Sequence, residues 1–196
     1  MDLEALIRGQ HGVVSTEQAL GRGLSEDALR WRVESGRWSR LGRGLYLAQT
    51  GPIDWAGRAQ ALVLRADDGA ALGLGAAEYL HGVAPGPPTV ITVMVPRGRR
   101  VQRLGGTRVR MRSHLEVVRR RGLPVTSAAT TVLDLADVGE WRGAVATAAR
   151  WVQRRRTTVA EVTDALEARS RHRHRRVLLA AMGVVAEGRA SWRSAT

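Results

Sequence analysis

The chain has 196 residues, with 31 basic and 18 acidic side chains and a formal net charge of +13, which favours polyanionic partners. Every basic residue is Arg and Cys is absent, which excludes disulfides, thiolate metal sites and Cys nucleophiles. The first residues lack a signal-peptide pattern and no apolar run reaches the length of a membrane span, so the sequence predicts a soluble, cytoplasmic protein.

The first segment predicts a short helix, because Leu3, Leu6 and Ile7 share one helical face and glycines follow them. A brief extended segment comes next. Ser15 is then expected to cap a second short helix, with Gln18 three residues later completing a capping box.

Ser25 is predicted to cap a third helix, in which Leu29 and Val33 form the buried stripe and Gly36 marks the end. Two short strands around a Gly-Arg-Gly tip at residues 42–44 then predict a β-hairpin. Three short helices followed by a hairpin are typical of a winged helix-turn-helix. In that fold the third helix enters the major groove and the hairpin reaches the adjacent backbone.

This geometry predicts which side chains of the N-terminal element contact DNA. They are the cap, basic and aromatic residues of the third helix and the hairpin: Ser25, Arg30, Trp31, Arg32, Arg37, Arg40 and Arg43. The alternative interpretation is a solvated arginine face beside tryptophans that only pack. Trp38 and Tyr46 are expected in the core, whereas Trp31 stays open between the two interpretations.

An ordered set of short motifs resembles a known family. The first motifs are His11-Gly12-Val13-Val14-Ser15, Gln18-Ala19-Leu20, Gly23-Leu24-Ser25, Gly36-Arg37-Trp38 and Gly44-Leu45-Tyr46. The later ones are Ala76-Ala77, Leu80-His81-Gly82, Val93-Met94-Val95-Pro96, Gly122-Leu123-Pro124-Val125-Thr126 and Thr131-Val132-Leu133-Asp134-Leu135-Ala136. Together they resemble AbiEi-type antitoxins of type IV toxin–antitoxin systems, whose relatives are abundant in actinobacteria. The resemblance implies a transcriptional regulator that represses its own operon, with double-stranded operator DNA and a cognate toxin as partners.

The rest of the chain predicts further helices and strands. Helices are expected from Asp54 to about Ala66, at 75–80, from a cap at Thr126 or Ser127 to Val138, and at 141–153, 159–168 and 177–186. Strands are expected at 89–95 and 107–112, with a short extended piece at 123–125. The fold class is therefore α+β. The expected domains are a winged helix-turn-helix at 1–50, a mixed α/β antitoxin-like domain at 54–168, and a basic helix with a frayed tail at 169–196.

The strand at 107–112 alternates, with Val109 and Met111 on one face and three arginines on the other. Residues 97–100 are expected to form a basic turn before it. The set forms a candidate secondary nucleic-acid contact: Arg97, Arg99, Arg100, Arg108, Arg110 and Arg112. A solvated sheet face that discourages edge aggregation explains the same arginine row equally well.

No catalytic constellation stands out in the sequence. There is no G-x-S-x-G elbow and no phosphate-binding loop, and the arginines around His172 and His174 disfavour a divalent cation. His81 and His114 are expected to be structural or surface residues. We therefore expect a non-enzymatic protein without a metal or cofactor.

Two alternatives remain open from the charge pattern and the resemblance. The first fifty residues carry seven Arg against six acids, while residues 97–121 carry ten Arg against one Glu, so most of the charge lies outside the winged helix. This favours a module that binds another protein or RNA. The second alternative is a truncated remnant of a nuclease-fused protein, because many actinobacterial relatives resemble fusions to a very-short-patch-repair-type nuclease domain, which this chain is expected to lack.

Overall fold

The computed structural model describes residues 2–98, 101, 105–169 and 171–193, with only the backbone for 187–193. The first elements in chain order are α1 (Leu3–Gly9), β1 (Val13–Ser15), α2 (Thr16–Leu20), α3 (Glu26–Glu34), β2 (Ser39–Gly42), β3 (Leu45–Leu47), α4 (Trp55–Ala66), β4 (Ala71–Gly73) and α5 (Gly75–Leu80). They are followed by β5 (Ile91–Pro96), β6 (Thr107–Arg112), β7 (Val117–Arg120), β8 (Leu123–Thr126), α6 (Ala128–Val138), α7 (Trp141–Gln153), α8 (Val159–Ala168) and α9 (Arg175–Arg193). This confirms the α+β class and the winged helix at the N-terminus.

Side-chain caps define where the short N-terminal helices begin. The Ser15 hydroxyl accepts the backbone N–H of Gln18 at 3.1 Å, and the Gln18 side-chain carbonyl accepts the N–H of Ser15 at 3.2 Å. The Ser25 hydroxyl accepts the N–H of Ala28 at 3.2 Å. A helix of five residues is far too short to form alone, so caps and tertiary packing must hold α2 in place.

The first sheet is antiparallel, with strands in the order β1-β3-β2. In its register Leu47 of β3 lies between Val13 and Ser39, and Leu45 lies opposite Ser15 and Gly42. The register of β2 shifts between Arg40 and Gly42, next to the hairpin tip. This is the β-sheet of a winged helix, with β2 and β3 as the wing.

One apolar cluster joins these helices to the sheet. Its members are the buried residues Leu6, Ile7, Val14, Ala19, Leu29, Trp38 and Tyr46. Trp38 and Tyr46 are each only 6% exposed, which confirms their predicted core positions. Side chains of this size contribute about 1.5–3 kcal/mol each when fully buried, so the cluster is what orients α3 on the sheet.

The second sheet has the strand order β6-β5-β4-β8-β7. Strands β4 and β7 were not predicted. β5 and β6 pair in parallel, from Ile91 opposite Thr107 to Pro96 opposite Arg112. Of the predicted basic turn at 97–100, Arg97 and Gly98 form a turn directly after β5, and the other two residues lie outside the described residues.

The chain divides into two compact units. One comprises residues 1–72, 89–113 and 119–124, and the other comprises 73–88, 114–118 and 125–196. The predicted domains at 1–50, 54–168 and 169–196 divide the chain on a different basis and stay predictions. The final helix reaches Arg193, beyond the point where the sequence predicted fraying.

Helices α6 to α9 pack around their own core in the second unit. Its largest buried side chain is Trp151, surrounded by Leu133, Leu166 and Leu178. In the capping box of α8, the backbone N–H of Thr158, helped by the Thr157 hydroxyl, holds the pKa of Glu161 below its usual range. Within the described residues no helix is both long enough and apolar enough to cross a membrane.

Candidate nucleic-acid interface

Helix α3 presents Trp31 outward from the winged helix. Leu29 is buried and Val33 packs against the same cluster, so the core-facing side of α3 lies between these two positions. At 100° per residue Trp31 falls on the opposite side of the helix, and its side chain is 51% exposed. The structure thus settles the position that the sequence left open, because Trp31 is not part of the packed core.

Arg37 stacks on this exposed indole. Its guanidinium carbon lies 4.6 Å from the centre of the Trp31 ring. Such a cation–π contact contributes about 0.5–1 kcal/mol at an exposed site. The pair holds a flat aromatic face and a positive charge together at the C-terminal half of α3, next to the start of the wing.

Arg30 is the most loosely held cation of the helix. Its guanidinium lies 3.6 Å from the carboxylate of Asp27, and the two side chains are 66% and 91% exposed. An exposed pair of this kind is weak and exchanges readily with other partners. Arg30 is therefore available to a ligand with little cost.

Two further arginines rest on buried aromatic rings. Arg32 lies 5.4 Å from the ring centre of Trp38 and is half-buried on the flank of α3. Arg40, exposed on β2, lies 5.8 Å from the ring of Tyr46, its register partner. These contacts hold both guanidinium groups against aromatic rings of the winged-helix core.

The tip of the wing lies beside the start of α2. The carbonyl of Gly44 accepts the backbone N–H of Thr16 at 2.9 Å, and Gly44 has a φ of +68°, which the turn requires. Arg43 precedes it and is exposed at the tip. A backbone bond thus positions this arginine, which suits a contact with phosphate.

A cleft of about 280 Å³ separates α3 from the wing. It is lined by charged, polar and apolar side chains: Thr16, Glu26, Leu29, Arg30, Val33, Glu34, Arg40 and Tyr46. Glu26 and Asp27 occupy the first turn of α3, where acids suit the helix dipole. The exposed arginines Arg30, Arg37, Arg40 and Arg43 come later, on α3, directly after it and on the wing.

The structure therefore brings together most of the predicted contacts. Ser25 is at the start of α3 with its hydroxyl used in the cap, while Arg30 and Arg40 line one cleft and Trp31 pairs with Arg37. The sequence placed Trp31 and Arg37 in the same element but did not pair them. A cation–π contact across six positions has no local sequence signal.

The secondary arginine set is less uniform than predicted. Arg108 is exposed, but Arg110 and Arg112 are half-buried and Met111 is 52% exposed. The predicted alternation of β6 is not matched by its burial, because Met111 on the expected apolar face is exposed while Arg110 and Arg112 on the other face are half-buried. The nucleic-acid contact and the solvated face both stay predictions. Arg97 is exposed just after β5, and Arg99 and Arg100 lie outside the described residues.

A basic hairpin was not singled out by the sequence analysis. Arg119 and Arg120 end β7, and Arg121 with Gly122 connects it to β8. The Arg-Gly pair between two short β-branched segments is a hairpin signal that could have revealed it.

The histidines act as structural hydrogen-bonding groups. The Nε2 atoms of His81, His172 and His174 each lie about 3 Å from a backbone carbonyl, that of Thr126, Leu133 and Gly139 respectively. His114 is exposed. The predicted structural role of His81 and surface position of His114 are confirmed. Over the described ranges no three His, Cys, Asp or Glu side chains lie close enough together to hold a metal ion.

Comparison with known proteins gives a family match for the winged helix. A family described as "Transcriptional regulator, AbiEi antitoxin" matches residues 1–49, which confirms the predicted resemblance over this segment. The fold is similar to that of the RV2827C protein from Mycobacterium tuberculosis, with a TM-score of 0.57 and 18% identity over 92% of this chain and 75% of that chain. No curated protein matches the sequence.

Proposed function

From the family of residues 1–49, that of AbiEi antitoxin transcriptional regulators, we propose that this chain binds operator DNA and represses its own operon. The observation that carries the proposal is the outward face of α3, where Trp31 and Arg30 are exposed beside Arg37 and a wing that carries Arg40 and Arg43. In a winged helix-turn-helix this is the face that enters the major groove.

The side chains divide into two roles. Arg30 is mobile enough to form a bidentate contact with a guanine edge, and the Trp31 indole offers apolar surface to a thymine methyl group. Arg37, Arg40 and Arg43 contact phosphates and fix the register of α3 on the duplex. Ser25 positions the first turn of α3 through its cap.

The protein works in this proposal by binding alone. The cluster around α3 contains arginines, aromatic rings and acids, of which Asp27 pairs with Arg30, and its described side chains include no paired nucleophile and base. The family description further supports a cognate toxin as the second partner of the regulatory system.

The test is a salt-titrated binding assay of the full chain on a duplex from its own promoter and on a scrambled duplex of equal length. We expect a preference of at least about tenfold for the promoter at physiological salt, equal to ~1.4 kcal/mol. Arg30→Ala should remove about 1–3 kcal/mol of this preference, while Arg43→Ala should weaken both duplexes alike and reduce the salt slope by about one.

Equal binding to both duplexes that vanishes as salt rises would contradict the operator model. Single-stranded RNA of the promoter sequence belongs in the same titration. If it binds more tightly than either duplex and Arg30→Ala changes nothing, the protein is an RNA-binding module instead.

A further inference from the structure

The hairpin formed by β7 and β8 is unusually basic and tightly built. Only Arg121 and Gly122 connect the two strands, with φ angles of +50° and +79°. Tight turns with two positive φ angles favour Asn-Gly or Gly-Gly, so a large side chain at the first position is unfavourable. The chain nevertheless places an arginine at this tip, directly after Arg119 and Arg120.

The tip is attached to the winged helix. The carbonyl of Arg121 lies 3.1 Å from Nε2 of His11, in the loop between α1 and β1, so the imidazole N–H donates to it. His11 itself has a φ of +53°. A Cβ atom on Gly122 would lie 3.5 Å from the carbonyl of Gly9, so the two loops meet backbone to backbone. Residues 119–124 belong to the same compact unit as α1 to α3.

The register of the first sheet places this junction near the proposed groove face. Val13, Leu47 and Ser39 form one row across β1, β3 and β2. His11 and Arg37 each precede that row by two residues, just before the two outer strands β1 and β2, which are separated by two strand spacings or about 10 Å. The basic hairpin therefore adjoins the end of the sheet from which the Trp31–Arg37 pair projects.

The cations of the hairpin are presented to solvent. The side chains of Arg119, Arg120 and Arg121 are exposed, as is Arg8 at the end of α1. Arg119 donates to the carbonyl of Gly122 at 2.5 Å and Arg120 donates to the carbonyl of Arg119 at 3.0 Å. A backbone carbonyl orients a guanidinium group without neutralising its charge. Each of these two guanidinium groups also has further N–H donors. Glu116, the only acid between 97 and 121, accepts a hydrogen bond from the Ser127 hydroxyl at 2.7 Å.

We propose that the Arg119–Arg121 hairpin is a second wing, which contacts the phosphate backbone of the DNA bound by α3 and extends the protein's footprint beyond residues 1–49. This inference rests on the proposed function for the choice of DNA. The contact is to phosphate rather than to bases, because a rigid hairpin of exposed cations carries charge but no groove-shaped element.

The test compares the double variant Arg119→Gln/Arg120→Gln with wild type, both as full chains, on the promoter and scrambled duplexes. The loss of two phosphate contacts makes the slope of log K against log salt less steep by about 1.8. Wild type should therefore lose about tenfold more affinity than the variant between 50 and 200 mM salt. Both duplexes should weaken alike, so the promoter preference stays unchanged.

Two matched variants separate this role from folding and from net charge. Arg119→Lys/Arg120→Lys keeps the charge and should restore most of the slope. Arg173→Gln/Arg176→Gln removes two exposed charges from the other compact unit and should leave the slope at the wild-type value.

The possible failures are distinguishable. If wild type prefers its promoter but the Gln double variant keeps the wild-type slope, or the Arg173/Arg176 control lowers it equally, the second wing is overturned while the operator model stands. In another outcome wild type has no promoter preference, while the slope is less steep in the Arg119/Arg120 variant and unchanged in the Arg173/Arg176 control. In that case the phosphate contact stands and the operator model fails. A wild type that binds neither duplex overturns both.

Discussion

Trp31 is a large apolar side chain that stays half in solvent when a packed core lies on the other side of its helix. Desolvating such a ring is favourable, so we expect this exposed tryptophan to act as a binding anchor rather than as a folding determinant. The guanidinium of Arg37 over the ring limits the directions that the indole can take. The two residues therefore present one pre-formed surface of aromatic face and positive charge.

Replacement of Trp31 separates binding from stability. We expect Trp31→Ala to lower promoter affinity by at least about tenfold (~1.4 kcal/mol), while Trp31→Phe, which keeps an aromatic face for Arg37, retains most of it. The free energy of unfolding should change by less than about 0.5 kcal/mol beyond the lost cation–π contact, because the ring is outside the core. A large loss of stability with unaltered affinity of the folded protein would assign Trp31 to packing after all.

Among the elements, α3 depends on its first residue more than on its intrinsic propensity. With nine residues it is below the length at which an isolated helix persists in water, so the cap and the contact of Leu29 with the sheet decide whether it forms. The Ser25 hydroxyl satisfies one backbone N–H that would otherwise be left without an acceptor.

Ser25→Ala is expected to destabilise the protein by about 1 kcal/mol, whereas Ser25→Asn, another strong N-cap, should remain within a few tenths of wild type. Thermal unfolding measures the difference. If Ser25 acts only through the cap, Ser25→Asn should also bind the promoter as wild type does. A loss of affinity in Ser25→Asn without loss of stability would instead give the hydroxyl a direct contact with DNA.

The sequence predicts those elements whose signals lie close together along the chain. Capping boxes and helix stripes lie within a few neighbouring residues, and the helices capped by Ser15, Ser25 and Asp54 appear where those signals occur. Strands β4 and β7 are only three and four residues long, too short for a periodicity in the sequence to mark them; β4 lies between β5 and β8, which follow it only many residues later, whereas β7 pairs with the adjacent β8. The parallel pairing of β5 with β6 likewise depends on register between strands, which alternation within one strand does not specify.

The same contrast between local and long-range signals applies to the candidate site. The residue types and their order predicted a basic helix and wing, because these follow one another within twenty residues. The contact of His11 with the carbonyl of Arg121 spans 110 positions, so only the folded chain brings it together. The partial burial of Arg110 and Arg112 likewise depends on what packs against β6 in the folded chain, which the alternation within the strand does not specify.

On the scale of the whole molecule, the positive charge is divided between two compact units that use it differently. In the first unit the arginines of α3 and the wing are mostly exposed, whereas in the second several guanidiniums bind within the fold. Arg169 donates to the carboxylate of Asp134 at 3.0 Å, and Asp134 is fully buried. Arg150 pairs with Glu78 at 2.6 Å, and the guanidinium of Arg154 donates to the carbonyl of Val83. Net charge by itself therefore overstates how much of the chain is free to meet a polyanion.

This division predicts that the second unit can be destabilised without weakening the DNA interface. Arg169→Ala removes the guanidinium that pairs with the buried Asp134 carboxylate, and removal of one partner from a buried pair costs on the order of 3–5 kcal/mol. We expect hydrogen exchange to accelerate first in α6 and α8, around the pair, while promoter affinity below the unfolding transition stays at the wild-type value. Arg171→Ala, which removes an exposed arginine two positions away, is the matched control and should alter neither quantity. If Arg169→Ala instead lowers promoter affinity at temperatures where the protein remains folded, the arginines of the second unit take part in DNA binding, and the footprint proposed for α3 and the two wings is too small.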